Sequence, residues 1–422
     1  MRRLVQTLGL LAAVLLTAPP PAGAHSTGAL RTLRARLSRD MGRIGGASGA
    51  YVVDLTKGVV LFSDSGSVRR LPASVQKLYT TTTALERFGP NARLRTSVLG
   101  RGWRGARGVW HGALYLRGGG DPTLGWASFV HATYGSTGTT VQMLVSNLIH
   151  QAHITAVHGA IIGDESYFDS RRSTAESGFR PDSDMEGQLS ALAFDRGFAT
   201  PGSTDYQSHP ALYAAQQFAS ALRSAGVQMR STIRIASGRT PRGARLLTIV
   251  RSPRVSRLIR LTNTPSDNFM AEMLLKGLGA SFGRGGTTAS GAAVVRSELS
   301  RVFGLSPRFN DGSGLSYADS TSPRQIVTLL RAMAGNRVFR RSLAIGGRTG
   351  TLQDSMRGTA AQGHCQGKTG TLHAVANLSG YCQARDGHNL AFAILANSVG
   401  SPDYVHSVEA NDMAVALAEY DG

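Results

Sequence analysis

The chain is nearly devoid of lysine. Among its 422 residues only Lys57, Lys77, Lys276 and Lys368 occur, so the formal charge of +20 at pH 7 is carried almost entirely by arginine. Cysteine is as sparse, with Cys365 and Cys382 alone. The single G-x-S-x-G, Gly279-Ala280-Ser281-Phe282-Gly283, ends an apolar helical run instead of following a strand, so it does not make the usual strand-to-helix elbow of a Ser-His-Asp hydrolase. The 11 histidines include one grouping, His150, His153 and His158, but it has no neighbouring acidic ligand and reads as surface rather than as a metal site. There is no fixed-period repeat. Past the N-terminus no apolar stretch is long enough to cross a membrane. No compact basic tract is interleaved with aromatics, and this disfavours nucleic acid as a partner.

What is there begins with a leader. Arg2 and Arg3 precede an apolar run from Leu4 to Ala18, and Ala22-Gly23-Ala24 is a small-x-small cleavage site. Residues 1–24 read as a secretory signal peptide, with no cysteine after the apolar run to take a lipid anchor. The expected location is therefore outside the cytoplasm, periplasmic or associated with the cell wall. The basic surface then suggests attraction to anionic envelope polymers. An oxidising compartment permits Cys365 and Cys382 to form a bridge.

The remaining length suits two or three domains. Leu30, Leu33, Leu37, Met41 and Ile44 recur at helical spacing, which predicts a helix over 29–44. "GAYVVDLTKGVVLFSD" predicts a hairpin turning at Thr56-Lys57-Gly58. Ala73 to Glu86 reads as a helix stopped at Gly89-Pro90. Its run Thr80–Thr83 has poor helix propensity, so packing must hold it and the helix is expected to be buried. Residues 94–245 change texture to short strands and turns with one clear helix. From 246 onward two helical stretches break at Thr264-Pro265, a helix starts at Ser322-Pro323, and "CQGKTGTLHAVANLSGYCQA" and "HNLAFAILANS" read as antiparallel strands. A final helix closes the chain.

Three short motifs carry chemistry. Ser74 and Lys77 share a helix face at i, i+3, so the amine can reach the hydroxyl. Burial and a neighbouring cation lower a lysine pKa and turn the amine into a base. Amide groups at the helix start can stabilise an oxyanion. Ser266-Asp267-Asn268 lies in the break between two helices. It reads as a helix cap, or as a proton relay with an amide holder. Lys368-Thr369-Gly370-Thr371 sits on a predicted strand, where glycine permits close backbone approach and the hydroxyls can bind a carboxylate. The "GKT" there is not a phosphate-binding loop. Only three residues separate Gly363 from Gly367, and a strand follows instead of a helix.

Each motif alone has an ordinary structural reading. Together, in this order, with two of the four lysines at the two positions that require one, they form the signature of penicillin-binding proteins and class A β-lactamases. The chain resembles more narrowly the D-alanyl-D-alanine carboxypeptidases with a large insertion, the penicillin-binding protein 4 type of peptidase family S13. "YVVDLTKG", "RLPASVQKLYTTTTALERFGPNARLRTSV", "ALYLRGGGDPTLG", "IIGDESYFD", "SDNFMAEMLLKGLG", "NDGSGLS" and "GKTGTLHAVANLSGYC" are similar to segments of that family and cover nearly all of the chain past the leader. It departs at Tyr317, where the family pattern carries arginine, and at Arg348, where it carries aspartate. The insertion is also short for the family.

The resemblance implies an α+β fold: a transpeptidase-like domain, an antiparallel sheet sandwiched by helices, assembled from 25–93 and 246–422, with a β-rich insertion over 94–245. It implies a serine peptidase without a metal or cofactor, acting on peptidoglycan stem peptides that end in D-Ala-D-Ala and acylated by β-lactams. Ser74 is then the nucleophile and Lys77 its base. Ser266 and Lys368 pass a proton to the leaving amine, and Asn268 holds the substrate amide. Thr369 and Thr371 bind the terminal carboxylate beside Gly370. Carboxypeptidase and endopeptidase action share this site. A class A β-lactamase is the first rival, but its deacylating glutamate should follow the second motif, and the similar "EGQLS" at Glu186 precedes it. The separation of 192 residues from Ser74 to Ser266 also demands an inserted domain. The second rival is a wall-binding protein with the fold but little turnover.

If the strand carrying Lys368 pairs with the next one around the His373–Asn377 connection, partners in register sum to a constant near 747. Cys365 and Cys382 then face each other, and a disulfide between them is expected.

Overall fold

The computed structural model describes residues 22–200, 203 and 205–422. The expected leader lies outside these except for its last three residues, which open helix α1 (Ala22–Ile44). Two sheets dominate. The first has six strands, in the order Val59–Asp64, Ala47–Asp54, Asn389–Asn397, Val375–Gln383, Cys365–Leu372 and Ala344–Ile345, and is antiparallel throughout. It combines β1 (Ala47–Asp54) and β2 (Val59–Asp64) with strands from much later in the chain. The predicted turn is there: Asp54 Oδ1 accepts the amides of Thr56 and Lys57, and Gly58 takes φ 74°.

Helices cover both faces of this sheet. Leu33, Leu37, Met41 and Ile44 of α1 form one apolar stripe, which packs with the C-terminal residues Val405 to Tyr420 on one side. On the other side lie α2 (Lys77–Phe88) and the helices Val255–Asn263, Asn268–Phe282 and Pro323–Met333. Strands near the middle are consequently buried on both faces and read as continuous apolar runs, as in "AFAILA". The threonine run of α2 is completely buried, as its weak propensity required. Thr80 Oγ1 donates to the Gly312 carbonyl and Thr81 Oγ1 to that of Lys77.

The second sheet is built from β3 (Arg95–Arg104), β4 (Val109–Gly118), β5 (Ala156–Asp164), β6 (Gln228–Met229), β7 (Arg234–Ser237) and β8 (Arg245–Arg251). It is mixed. β3 pairs antiparallel with β4 and β8, whereas β5 runs parallel to β4, β6 and β7. The parallel pairs follow from the helices Val141–Ala152 and Pro210–Ser224, which provide the crossovers that parallel strands need. Short strands and turns in the sequence did not announce this.

Back in the first sheet come β9 (Ala344–Ile345), β10 (Cys365–Leu372), β11 (Val375–Gln383) and β12 (Asn389–Asn397). β10 and β11 pair with Leu372 opposite Val375 and Cys365 opposite Cys382. The connection is shorter than the His373–Asn377 stretch: His373 and Ala374 alone make it, with Ala374 at φ 54°. The register is the expected one, and Cys365 and Cys382 form a disulfide.

Candidate active site

The Ser74 segment is a single tight turn rather than the start of an α-helix. Ala73–Gln76 is 3₁₀-helical and α2 begins at Lys77. A 3₁₀ turn eclipses i and i+3, so it brings the two side chains together more directly than an α-helix does. Lys77 Nζ donates to Ser74 Oγ at 2.7 Å. Ala73 sits at φ 44°, a conformation unfavourable for a residue with a Cβ. The sheet holds it there. Asn377 Nδ2 on β11 donates to the Leu71 and Pro72 carbonyls at 3.0 and 2.8 Å, and Asn397 Oδ1 on β12 accepts the Leu71 amide at 2.7 Å. Gly370 on β10 backs the turn from the third side. A Cβ there would lie 2.7 Å from the Pro72 oxygen and 3.1 Å from the Ser74 and Val75 nitrogens.

Lys77 is fully buried, while Ser74 remains partly open. Besides Ser74, the ammonium donates to the Asn268 carboxamide oxygen and, at 2.8 Å, to the Ser313 carbonyl. Burial pushes its pKa down to about 8, against the pull of Asp311 and other carboxylates. The Ser313 carbonyl is aimed by Glu272, whose Oε1 accepts the amides of Gly312 and Ser313 at 2.7 Å each. Burial, then the charge of Asp311, pushes Glu272 up to about 7. Neither carboxylate belongs to the three motifs. The only sequence signal was "NDGSGLS", whose turn residues hide the buried Asp311.

Lys368, on β10, is also fully buried. It donates to Ser266 Oγ and to the Thr369 carbonyl, both at 2.7 Å. Burial and then the positive charge of Lys77 drive its pKa well below the ordinary lysine value. Ser266 stands at φ 71°, and Asp267 caps the helix Asn268–Phe282 by accepting the Met270 amide. The cap reading and the functional reading of this tripeptide are therefore compatible. Asp267 is the cap, and its neighbours point into the site.

Asn268 is engaged at both ends. Its Oδ1 faces Lys77, while its Nδ2 donates to the Asp184 carbonyl at 2.6 Å and its amide donates to Glu186 Oε2 at 3.0 Å. The insertion thus reaches the site, anchored by the ion pair of Arg196 with Asp267. Glu186, which the sequence placed out of order for a β-lactamase, lies at the rim. Burial and then Asp267 raise its pKa.

Thr369 Oγ1 donates to Thr351 Oγ1 at 2.8 Å. The exposed Thr371 hydroxyl is 2.7 Å from His406 Nε2, and His406 Nδ1 is 3.1 Å from the buried Glu409. His406 and Glu409 flank the start of a π turn, Val408–Met413, that a 3.6-residue pattern does not register. Of the two departures, Tyr317 is exposed and its amide donates to Glu176, while the Arg348 guanidinium packs against Gly363. Neither touches Ser74, Lys77, Ser266 or Lys368 through a hydrogen bond.

All three motifs thus meet at one site as two hydrogen-bonded groups, Ser74–Lys77–Asn268 and Ser266–Lys368, with the charge of Lys77 felt at Lys368 and Gly370 of β10 against the Ser74 turn. The model of the D-Ala-D-Ala carboxypeptidase 3 (S13) family matches residues 31–207 and 202–420. A D-alanyl-D-alanine carboxypeptidase from Actinomadura is 31% identical, covering 99% of this chain and 90% of its own. Carboxypeptidase DacB from Mycolicibacterium smegmatis is 30% identical, covering 91% and 82%. In three dimensions the chain is similar to penicillin-binding protein 4 from Haemophilus influenzae, with a TM-score of 0.73, 20% identity, and coverage of 88% and 98%. With matches of this extent, this chain belongs to the D-Ala-D-Ala carboxypeptidase 3 (S13) family.

Proposed function

We propose that the protein is a serine D-Ala-D-Ala carboxypeptidase of the cell envelope, exported by its leader and acting on peptidoglycan stem peptides. The observation that carries the mechanism is the Lys77–Ser74 hydrogen bond, made by an amine whose pKa burial has brought down to about 8. Lys77 takes the Ser74 proton as Oγ attacks the carbonyl of the penultimate D-alanine. The amides of Ser74 and Thr371 receive the oxyanion. Ser266, held by its hydrogen bond from Lys368, relays a proton to the departing D-alanine amine, so the proton taken from Ser74 is the one returned to the leaving group. Thr369 and Thr371 take the terminal carboxylate. Asn268 orients Lys77, and it holds the substrate amide only if the Asp184 carbonyl gives way. Water then releases the acyl-enzyme.

The same site accepts β-lactams on this reading. A penicillin-binding protein 4 from Haemophilus influenzae has been solved in complex with a β-lactam. The division of the chain belongs to the proposal too. A catalytic domain from 25–93 and 246–422 and an insertion over 94–245 are supported by the two sheets, with β8 carrying the insertion's strand pairing on to Arg251. The test is release of D-alanine from a synthetic stem pentapeptide. Wild type should release it and Ser74→Ala should lose roughly 10⁴-fold or more. Acylation by penicillin with no peptide cleavage would favour a wall-binding role, and rapid penicillin turnover a β-lactamase.

A further inference from the structure

Two helices cover one face of the second sheet. The helices Val141–Ala152 and Pro210–Ser224 pack on Trp110, Leu114 and Ile161. Residues in register on neighbouring strands share a face, so the opposite face can be read from the pairing. One row runs His158, His111, Trp103 across β5, β4 and β3, and the next runs Arg234, Ala160, Ala113, Arg101 from β7 to β3. None of these side chains is buried. The Trp103 indole is 65% exposed and lies flat on His111, with centroids 4.9 Å apart and planes 14° apart. His158 meets His111 edge-on at 5.4 Å. A cleft lined by both histidines, Arg230 and Arg234 runs beside this row.

The charge around this platform has one sign. From Arg95 to Asp164 and from Tyr206 to Arg251 the chain holds twelve arginines and two carboxylates, Asp121 and Asp164, both buried. All twelve arginines are exposed, whereas Asp121 is buried and accepts hydrogen bonds from Thr123 and Thr139. Among the described residues only Arg117 of the twelve lies within ion-pair distance of a carboxylate, Asp164 at 3.9 Å. Arg101, Arg230 and Arg234, exposed and without an acidic partner, stand beside the exposed indole and the two histidines, which fits a ligand that brings both anions and flat rings.

We propose that this face binds an anionic glycan, a sugar chain bearing carboxylate or phosphodiester groups. A sugar ring rests on Trp103, and the acidic groups pair with Arg101 and Arg234. This rests on the proposed envelope substrate, since it is that setting that puts sugar chains before the face. It gives the insertion a task separate from the chemistry: holding the enzyme on the polymer while peptides reach Ser74.

The test uses the mature protein with alginate oligosaccharide (carboxylate), phosphomannan (phosphodiester), neutral dextran and an oligothymidylate. Binding is followed by calorimetry and by tryptophan fluorescence. At least one anionic glycan should bind, more weakly as salt rises because exposed charges are screened over roughly 10 Å at 0.1 M. Trp103→Ala and the double variant Arg101→Gln/Arg234→Gln should each weaken binding roughly tenfold, and Trp103→Phe should retain most of it. Release of D-alanine from a soluble pentapeptide should be unchanged in all of them. Equal binding of neutral dextran, tighter binding of the oligothymidylate, or full binding by the variants overturns the proposal. Failure of every glycan to bind overturns it while leaving the peptidase reading intact, because peptide turnover is measured separately.

Discussion

Gly370→Ala adds one methyl group where the fold leaves no room. Its carbon would fall 2.7 Å from the Pro72 carbonyl oxygen and 3.1 Å from the nitrogens of Ser74 and Val75. Carbon–oxygen contacts normally begin near about 3.3 Å, so roughly 0.6 Å must be found. The strand cannot yield it easily, because β10 is paired through its length with β11. The nucleophile turn cannot either, because Asn377 and Asn397 clamp Leu71 and Pro72. Overpacking of this kind costs about 1–3 kcal/mol of stability. The larger effect falls on Ser74. A misplacement of about 1 Å costs around 10²-fold in rate, so a shift of half that predicts acylation slowed by about tenfold. The assay is the second-order rate of labelling by a fluorescent penicillin, with a thermal melt beside it. Wild-type labelling and an unchanged melt would refute the claim that Gly370 is required by the Ser74 turn, and would return it to the role of making space for substrate.

Three further outcomes follow from the same geometry. With Lys77 brought down to about 8, the free amine grows as pH rises, so acylation should climb about tenfold per unit below pH 8 and level off above it; a flat profile across that range contradicts a lysine base. His406→Ala should raise KM for the pentapeptide about threefold to tenfold at constant kcat, because Thr371 loses its partner, and His406→Gln should recover part of it. A fall in kcat alone would place His406 in a different role. Cys365→Ala/Cys382→Ala removes a bridge closing a separation of 17 residues and should cost on the order of 3 kcal/mol in denaturant unfolding; no loss of stability would show that the paired strands need no staple.

Much of this was legible in the sequence, and the reasons differ. The scarcity of lysine made Lys77 and Lys368 conspicuous, and both are buried amines beside a serine. The β10–β11 register could be written down because a two-strand pairing needs only one constant. The parts that were missed depend on distant segments meeting. Glu272 looked like any helix glutamate until its helix packed against the Gly312–Ser313 turn. His406 and Glu409 sit where a π turn breaks the usual periodicity. Asn268 was read as an amide holder, and its contact with Asp184 needed the insertion to fold back over the site. The insertion's parallel strands were invisible because strand direction is set by what the crossover helices pack on. Lys276 shows the limit of rarity as a guide, since it is buried too, but pairs with Asp169 and lies outside the three motifs.

The central claim is that Ser74 is the nucleophile. Intact-mass analysis of the protein after exposure to penicillin, followed by peptide mapping, tests it most directly. One adduct on the tryptic peptide containing Ser74 is expected in the wild type, and none in Ser74→Ala. An adduct on any other residue, or labelling that persists in Ser74→Ala, would contradict the account.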